Sequence, residues 1–168
     1  IYIDEFYTGN QTYIDGSYID DEVFELKTGK PDFERERDAQ RRLKSNLKFV
    51  AGKRVGDFGC GSGDFLRLAK PYCENVLGIE LQQNYVDLLN SDGITCTNDL
   101  ANVENKSLDI LVSFHVIEHL PNPLDTLSEL ITKIVSGGQI LIEVPHANDF
   151  LLSTVCCDDF KQFTLWSQ

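Results

Sequence analysis

The chain has 168 residues, a formal charge of −12, 42% apolar and 25% charged residues, the proportions of one ordinary globular domain with a real core. So acidic a balance argues against a nucleic-acid partner, because neutralising phosphates takes clustered Lys and Arg. No apolar run approaches the roughly 18–20 residues of a membrane span, and no basic-then-apolar leader opens the sequence. Five cysteines without a CxxC pair (Cys60, Cys73, Cys96, Cys156, Cys157) point to a reducing, cytoplasmic compartment.

Residues 1–30 are rich in Tyr, Phe, Asp and Gly, carry seven acids against two lysines, and hold no sustained period. Between Pro31 and Gly52, the spacing of Ala39, Leu43, Leu47 and Val50 predicts a helix that Gly52 ends. Residues 1–50 thus form an N-terminal segment, expected either to close over a site as a lid or to cover the sheet. Its later half is locally basic (Arg35, Arg37, Arg41, Arg42, Lys44, Lys48). A solvated helix face is the plain reading of that run; contact with an anionic ligand is the other.

A strand–helix alternation fills residues 51–150. Arg54–Phe58 predicts a strand, Gly59–Gly63 a turn, and Phe65, Leu68, Ala69 and Tyr72 the buried face of a helix limited by Pro71. Asn75–Glu80 predicts a second strand, followed by a helix carrying Tyr85, Leu88 and Leu89 and stopped by Gly93. Ile94–Thr97 is a weak third strand, and Leu108–Phe114 an apolar run suited to the centre of a parallel sheet. Asn122 and Pro123 cap and start a helix with Leu124, Leu127, Ile131 and Ile134 inward, ended by Gly137-Gly138; Gln139–Val144 is the fifth strand. Residues 151–168 begin a further region. The expected class is α/β, a doubly wound Rossmann-like parallel sheet flanked by helices.

The chemistry concentrates at strand ends. Asp57-Phe-Gly-Cys-Gly-Ser-Gly63 follows a strand and opens a helix, at the sheet edge where such folds bind ligands. Gly59, Gly61 and Gly63 allow a tight turn and close approach to a ligand. The Asp57 carboxylate suits an ammonium and repels a pyrophosphate. Asp64 also stands where a dinucleotide fingerprint has its last glycine, so a cationic nucleoside fits better than NAD. Glu80, about twenty residues on from the turn, suits ribose hydroxyls. Asp99 and Leu100 fall where a base edge would lie, with Asn98 an alternative to Asp99.

VGDFGCGSGDFL (55–66), GIEL (78–81), LDILVSFHVIEHLPNP (108–123) and GGQILIEVP (137–145) together resemble class I S-adenosylmethionine-dependent methyltransferases. They are most similar to the small-molecule branch that holds ubiquinone-type and many sugar methyltransferases. The resemblance implies S-adenosylmethionine as cofactor. It would set Asp57, Gly59, Cys60, Gly61 and Gly63 along the methionine portion, Glu80 on the ribose, Leu81 and Leu100 around adenine, and Phe114 and His115 near the methyl group. It also implies a small-molecule acceptor, with a sugar or glycan-precursor hydroxyl suggested by EHLPNP and EVPHAND. That fold normally ends with two more strands. They find no room before Gln168, so an exposed apolar sheet edge and pairing into a homodimer are expected.

His115-Val-Ile-Glu-His119 matches a zinc-peptidase pattern, but Pro121 and Pro123 preclude the long helix that chemistry needs, and no metal is expected. His115 and His146 are the candidate general bases for a hydroxyl acceptor, with Asp149 beside the latter. The competing readings are an NAD(P)-dependent Rossmann enzyme, which Asp57 and Asp64 disfavour, and a noncatalytic cofactor-binding module.

Overall fold

Apolar runs of strand length alternating with amphipathic stretches can bury surface on both sides only if the runs form a central sheet and the stretches cover it. The computed structural model of the chain, which describes residues 33–146, has that arrangement. Its strands are β1 (Arg54–Phe58), β2 (Asn75–Ile79), β3 (Thr95–Thr97), β4 (Leu108–Phe114) and β5 (Ile134–Glu143). Its helices are α1 (Phe33–Val50), α2 (Asp64–Ala69), α3 (Gln83–Ser91) and α4 (Pro123–Lys133). All neighbouring strands are parallel, in the order β3-β2-β1-β4-β5, so the doubly wound class holds. The order reverses between β1 and β4, which opens a crevice at their carboxyl ends.

Each face of the sheet has its own core. On one, Val55, Val76, Ile110 and Val112 meet Val50 of α1, Phe65, Leu66 and Ala69 of α2, and Val86 and Leu89 of α3. On the other, Ile79, Leu108 and Leu111 meet Val103 and Leu130. The expected α1 face is the packed one: Ala39 and Val50 are buried, and Leu43 and Leu47 lie against the first core.

Three local expectations need correction. In α2 the inward residues include Leu66, fully buried, whereas Tyr72 is 52% exposed. The helix before β5 does not run to Gly137-Gly138; it ends at Lys133, and Ile134 opens β5 by pairing with Leu108. The β-branched pair Ile134-Val135 favours a strand. A register shift between Leu108 and Ile110 then lets β5 accommodate Gly137 at φ +82° before Gln139 pairs with Ile110. Thirdly, α4 is rotated from the expected stripe: Leu130 is fully buried and Leu127 packs on the second core, but Leu124 is 76% and Ile131 59% exposed. The inward line runs Leu127, Leu130, Lys133, whose buried stem carries its ammonium to Asn105 Oδ1 at 3.1 Å.

No helix among the described residues is long and apolar enough to cross a membrane. Segments 1–32 and 147–168, including the expected lid and Asp149, lie outside the described residues.

Leu111, at the centre of β4, has no exposed surface. Leu111→Ala is expected to lower unfolding stability by about 2–5 kcal/mol, read as a fall in the urea midpoint at unchanged slope.

Candidate active site

Three strand ends converge on the turn after β1. Gly59 N–H donates to Ile79 O at 2.8 Å, Gly63 N–H closes the turn on Cys60 O at 2.9 Å, and Gly61 N–H donates to Glu80 Oε2 at 2.8 Å. Gly59 has φ +76°, and a Cβ on it would stand 2.3 Å from Val116 Cγ2, so only glycine lets the turn pack under the residues that follow β4. A Cβ on Gly61, by contrast, would meet nothing within 4 Å; it would project into open space above the turn.

Two cavities flank that space. The first, of about 380 Å³, is walled by Asp57, the turn, Phe114, and Arg35, Asp38 and Arg42 of α1. Asp57 is only 3% exposed, and burial pushes its pKa up to about 7, with Arg42 opposing and Glu80 adding. Phe114 is fixed between the Phe65 ring edge, 5.0 Å between centroids, and the Arg42 guanidinium, 4.9 Å from its ring centre. Arg35 reaches across to Asp64 at 2.8 Å and to the Ser62 hydroxyl, tying α1 to the turn.

The second cavity, of about 420 Å³, is walled by Glu80, Leu81, Gln82, Asn98, Leu100, Val116 and His119 among others, and shares Gly59, Gly61 and Phe114 with the first. Glu80 is buried; its two oxygens accept from Gly61 N–H (2.8 Å) and Gln82 N–H (2.9 Å). Burial raises its pKa and those backbone donors oppose the rise. A carboxylate oxygen holding one donor still has acceptor capacity for a hydroxyl. The cavities share walls, with buried Asp57 and two arginines at one end and buried Glu80 with apolar walls at the other.

His115 closes the cleft beyond β4. It sits at φ +57°, a strained conformation for a non-glycine residue, held by its N–H to Glu143 O at 2.8 Å. Its Nδ1 lies 3.4 Å from Glu118 Oε1 and its Nε2 3.2 Å from Glu143 Oε1. Glu118 lifts the His115 pKa above its ordinary value, while burial lowers that of His119. Glu143 accepts from Arg41 at 2.9 and 3.1 Å and from Arg42 at 2.9 Å. Against the opposing effect of burial, these bonds hold its pKa at about 2. Glu118 Oε2 is buried without a hydrogen bond among the described residues, so the 3.4 Å contact of Oε1 with His115 Nδ1 is what compensates this carboxylate there.

The expected residues are distributed unevenly. Asp57 and Cys60 wall the first cavity, Glu80, Leu81, Leu100 and His115 the second, and Gly59, Gly61 and Phe114 both. Gly63 caps α2 beneath the turn in a left-handed conformation. Asp99 is exposed and its Oδ1 accepts from Ala101 N–H at 2.8 Å, so it caps a short turn; Asn98 is the neighbour that walls the cleft. His146 is exposed and walls neither cavity. His115–His119 forms one short 3-10 turn, Ile117–His119, and among the described residues no group of three or more His, Cys, Asp and Glu is placed to hold a metal. Sequence reasoning missed Asp38, and it read Arg35 and Arg42 first as a solvated helix face, with contact to an anionic ligand as the other reading. Their signal was spacing: with Ala39 they share one helical face at i, i+3, i+4 and i+7.

Residues 33–167 match a family described as "Methyltransferase domain". The chain is 27% identical over 109 residues to the ubiquinone biosynthesis O-methyltransferase of Ralstonia nicotianae, covering 59% of this chain and 46% of that protein. It is 31% identical over 114 residues to the tRNA U34 carboxymethyltransferase of Desulfotalea psychrophila, covering 61% and 36%. The chain thus spans less than half the length of these curated relatives. Among solved structures, a SAM dependent methyltransferase from Archaeoglobus fulgidus superposes with a TM-score of 0.61 at 23% identity, over 86% of this chain and 72% of that one. At that identity the likeness is one of fold.

The raised Asp57 pKa has a measurable sign. From pH 4 to about 7 the native carboxyl keeps a proton that the unfolded chain, with its ordinary value of 3.8, has released. The native state binds more protons there, so this group's contribution to stability falls as pH rises and levels off above 7. Asp57→Asn is expected to remove the fall, gaining up to about 4 kcal/mol on the parent between pH 4 and 8. Urea unfolding at the two pH values reads it; a constant difference would place the Asp57 pKa near its ordinary value.

Proposed function

The chain belongs to the methyltransferase-domain family of class I S-adenosylmethionine-dependent methyltransferases, and on that premise we propose that it transfers the methyl group of S-adenosylmethionine to the hydroxyl of a small-molecule acceptor. The observation that carries the reading is the single cleft made by two cavities sharing Gly59, Gly61 and Phe114, with buried Asp57 in one and buried Glu80 in the other. Its polar groups suit the two ends of such a cofactor. The α-ammonium fits Asp57, the α-carboxylate fits Arg35 or Arg42, and the ribose hydroxyls fit Glu80. Leu81 and Leu100 offer apolar walls to the base, with Asn98 able to hydrogen-bond its edge. The open space where a Gly61 Cβ would stand admits the ligand against the backbone.

When bound, the sulfonium supplies an electrophilic methyl group. The protein's part is to align the acceptor in line with it and to exclude water. Phe114, locked by Phe65 and Arg42, forms the rigid wall beside the reacting centre. His115 is the candidate base, and the imidazolium formed when it takes the acceptor's proton is stabilised by Glu118 beside Nδ1 and Glu143 beside Nε2. His146, exposed and outside the cavity walls, is the less favoured candidate.

The names of the two relatives concern ubiquinone biosynthesis and a tRNA; neither supports a sugar acceptor. The tRNA relative favours a second reading, in which the exposed Arg37, Lys44 and Lys48 of α1 meet phosphates. A panel of catechols, other small hydroxyl compounds and tRNA, assayed with labelled S-adenosylmethionine, separates the readings; methylation of tRNA alone would overturn the small-molecule acceptor.

Calorimetry is expected to detect S-adenosylhomocysteine binding and no NAD binding, with Glu80→Ala weakening the former at least tenfold, about 1.4 kcal/mol. A folded protein that binds no S-adenosylhomocysteine would sink the proposal. With an acceptor in hand, the acid limb of kcat/KM should lie above His115's ordinary value of 6.5. Glu118→Gln removes the carboxylate that raises that pKa, so the limb should move to lower pH; an unmoved limb excludes His115 as the base.

A further inference from the structure

β2 carries a glycine, Gly78, where the sheet has no room for a side chain. A Cβ there would lie 2.8 Å from Cys60 Sγ, 2.9 Å from Cys96 Sγ and 3.2 Å from Leu66 Cδ1. The volume a larger residue would occupy is filled by two thiols from different parts of the chain. Cys96 stands on β3 in register with Gly78, and Cys60 is in the turn over β1, 36 residues away in sequence. Their sulfurs are 4.0 Å apart.

We propose that Cys60 and Cys96 form a reversible oxidation site, in which a hydroperoxide converts the thiol pair to a disulfide that distorts the turn and releases the cofactor. The consequence for binding rests on the cofactor reading of that turn; formation of the bond does not.

The geometry supports each part. Cys60 forms part of the wall of the first cavity, whereas Cys96 is buried and borders neither cavity, so a molecule the size of hydrogen peroxide meets Cys60 first, with the Cys96 sulfur 4.0 Å behind it. The Cys60 sulfur attacks one peroxide oxygen, the O–O bond breaks, and the departing hydroxide takes the Cys60 proton as water, leaving a sulfenic acid on Cys60. Cys96 Sγ, whose pKa the hydrogen bond from Cys60 lowers, then attacks the Cys60 sulfur, the S–O bond breaks, and hydroxide leaves with the Cys96 proton as a second water. Two thiols are oxidised and one peroxide reduced.

A disulfide bond is about 2.05 Å long, so the sulfurs must close by roughly 2 Å. The Cys96 backbone is pinned, its N–H and C=O both bonded to the Asn90 side chain at 3.0 Å. Closure beyond what rotation of the two side chains supplies therefore falls on the turn that carries Cys60. The next residue, Gly61, carries the N–H that holds Glu80 Oε2, so the bond pulls on both ends of the cleft at once. In the other direction, a cofactor lying in the first cavity covers Cys60.

The test uses the full chain, titrated with hydrogen peroxide and mapped by mass spectrometry without reduction. A Cys60–Cys96 linked peptide, two hydrogens lighter and restored by dithiothreitol, is expected. S-adenosylhomocysteine affinity, by calorimetry, should fall at least tenfold on oxidation and return on reduction. Cys96→Ser should retain the reduced-state affinity and form no disulfide at Cys60, with Cys60→Ala as a second variant that cannot form the link. S-adenosylhomocysteine added first should slow formation of the linked peptide. Peroxide-treated protein whose only linkages involve Cys73, Cys156 or Cys157 would overturn the site. A Cys60–Cys96 link that leaves affinity unchanged would overturn its control of binding. If the reduced protein binds no S-adenosylhomocysteine, the cofactor reading fails separately, and the linked peptide still decides the thiol site.

Discussion

The Gly59–Gly63 turn hangs from the end of β2 by three backbone donors, Gly59 and Cys60 N–H to Ile79 O and Gly61 N–H to Glu80 Oε2, and the rest of the site depends on that suspension. It brings the end of β1 against the end of β2 at the height where β4 releases Phe114 and His115. Gly59 also accepts the close approach of Val116, so the turn, the second strand end and the segment after β4 are positioned as one unit. Moving any of the three would change the shape of both cavities, because Gly59, Gly61 and Phe114 belong to both.

That unit keeps two carboxylates out of water. Asp57 and Glu80 are both nearly inaccessible, and burial lifts the pKa of each. Their situations differ in a way that matters for chemistry. Glu80 is compensated by backbone N–H groups, which favour its ionised form in the free protein. For Asp57 the opposing charge comes from Arg42 on α1, so the state of Asp57 is open to whatever cation enters the first cavity. Buried charge at a cleft wall is unfavourable for stability and useful for recognition.

α1 is more than a cover for the sheet. Its inner face packs into the first core through Leu43, Leu47 and Val50, while Arg35, Asp38 and Arg42 line the cleft. Arg41 and Arg42 also grip Glu143 at the end of β5, which in turn faces His115. A chain of charge contacts thus joins α1, the last strand and the strained residue after β4. Of its members, Arg42 walls the first cavity and His115 the second.

The sequence by itself determined the class of fold, the order of its elements and the strand-end residues that line the cleft. Those features rest on local rules: an apolar period that distinguishes strand from helix, glycines that tolerate φ above zero without strain, and acids at strand ends that a parallel sheet delivers to one edge. Of the two neighbours it offered for a base edge, Asn98 walls the cleft, while the Asp99 carboxylate caps a turn. Where the prediction failed, the deciding contact was distant in sequence. The rotation of α4 and the early start of β5 depend on Leu108 pairing with Ile134 and on the Lys133–Asn105 bond. The roles of Arg35 and Arg42, and the meeting of Cys60 with Cys96 over Gly78, likewise exist only once the strands are laid side by side. Periodicity tells which face of an element is buried or polar; which partner that face meets is fixed by strand order and register, and those are properties of the whole sheet.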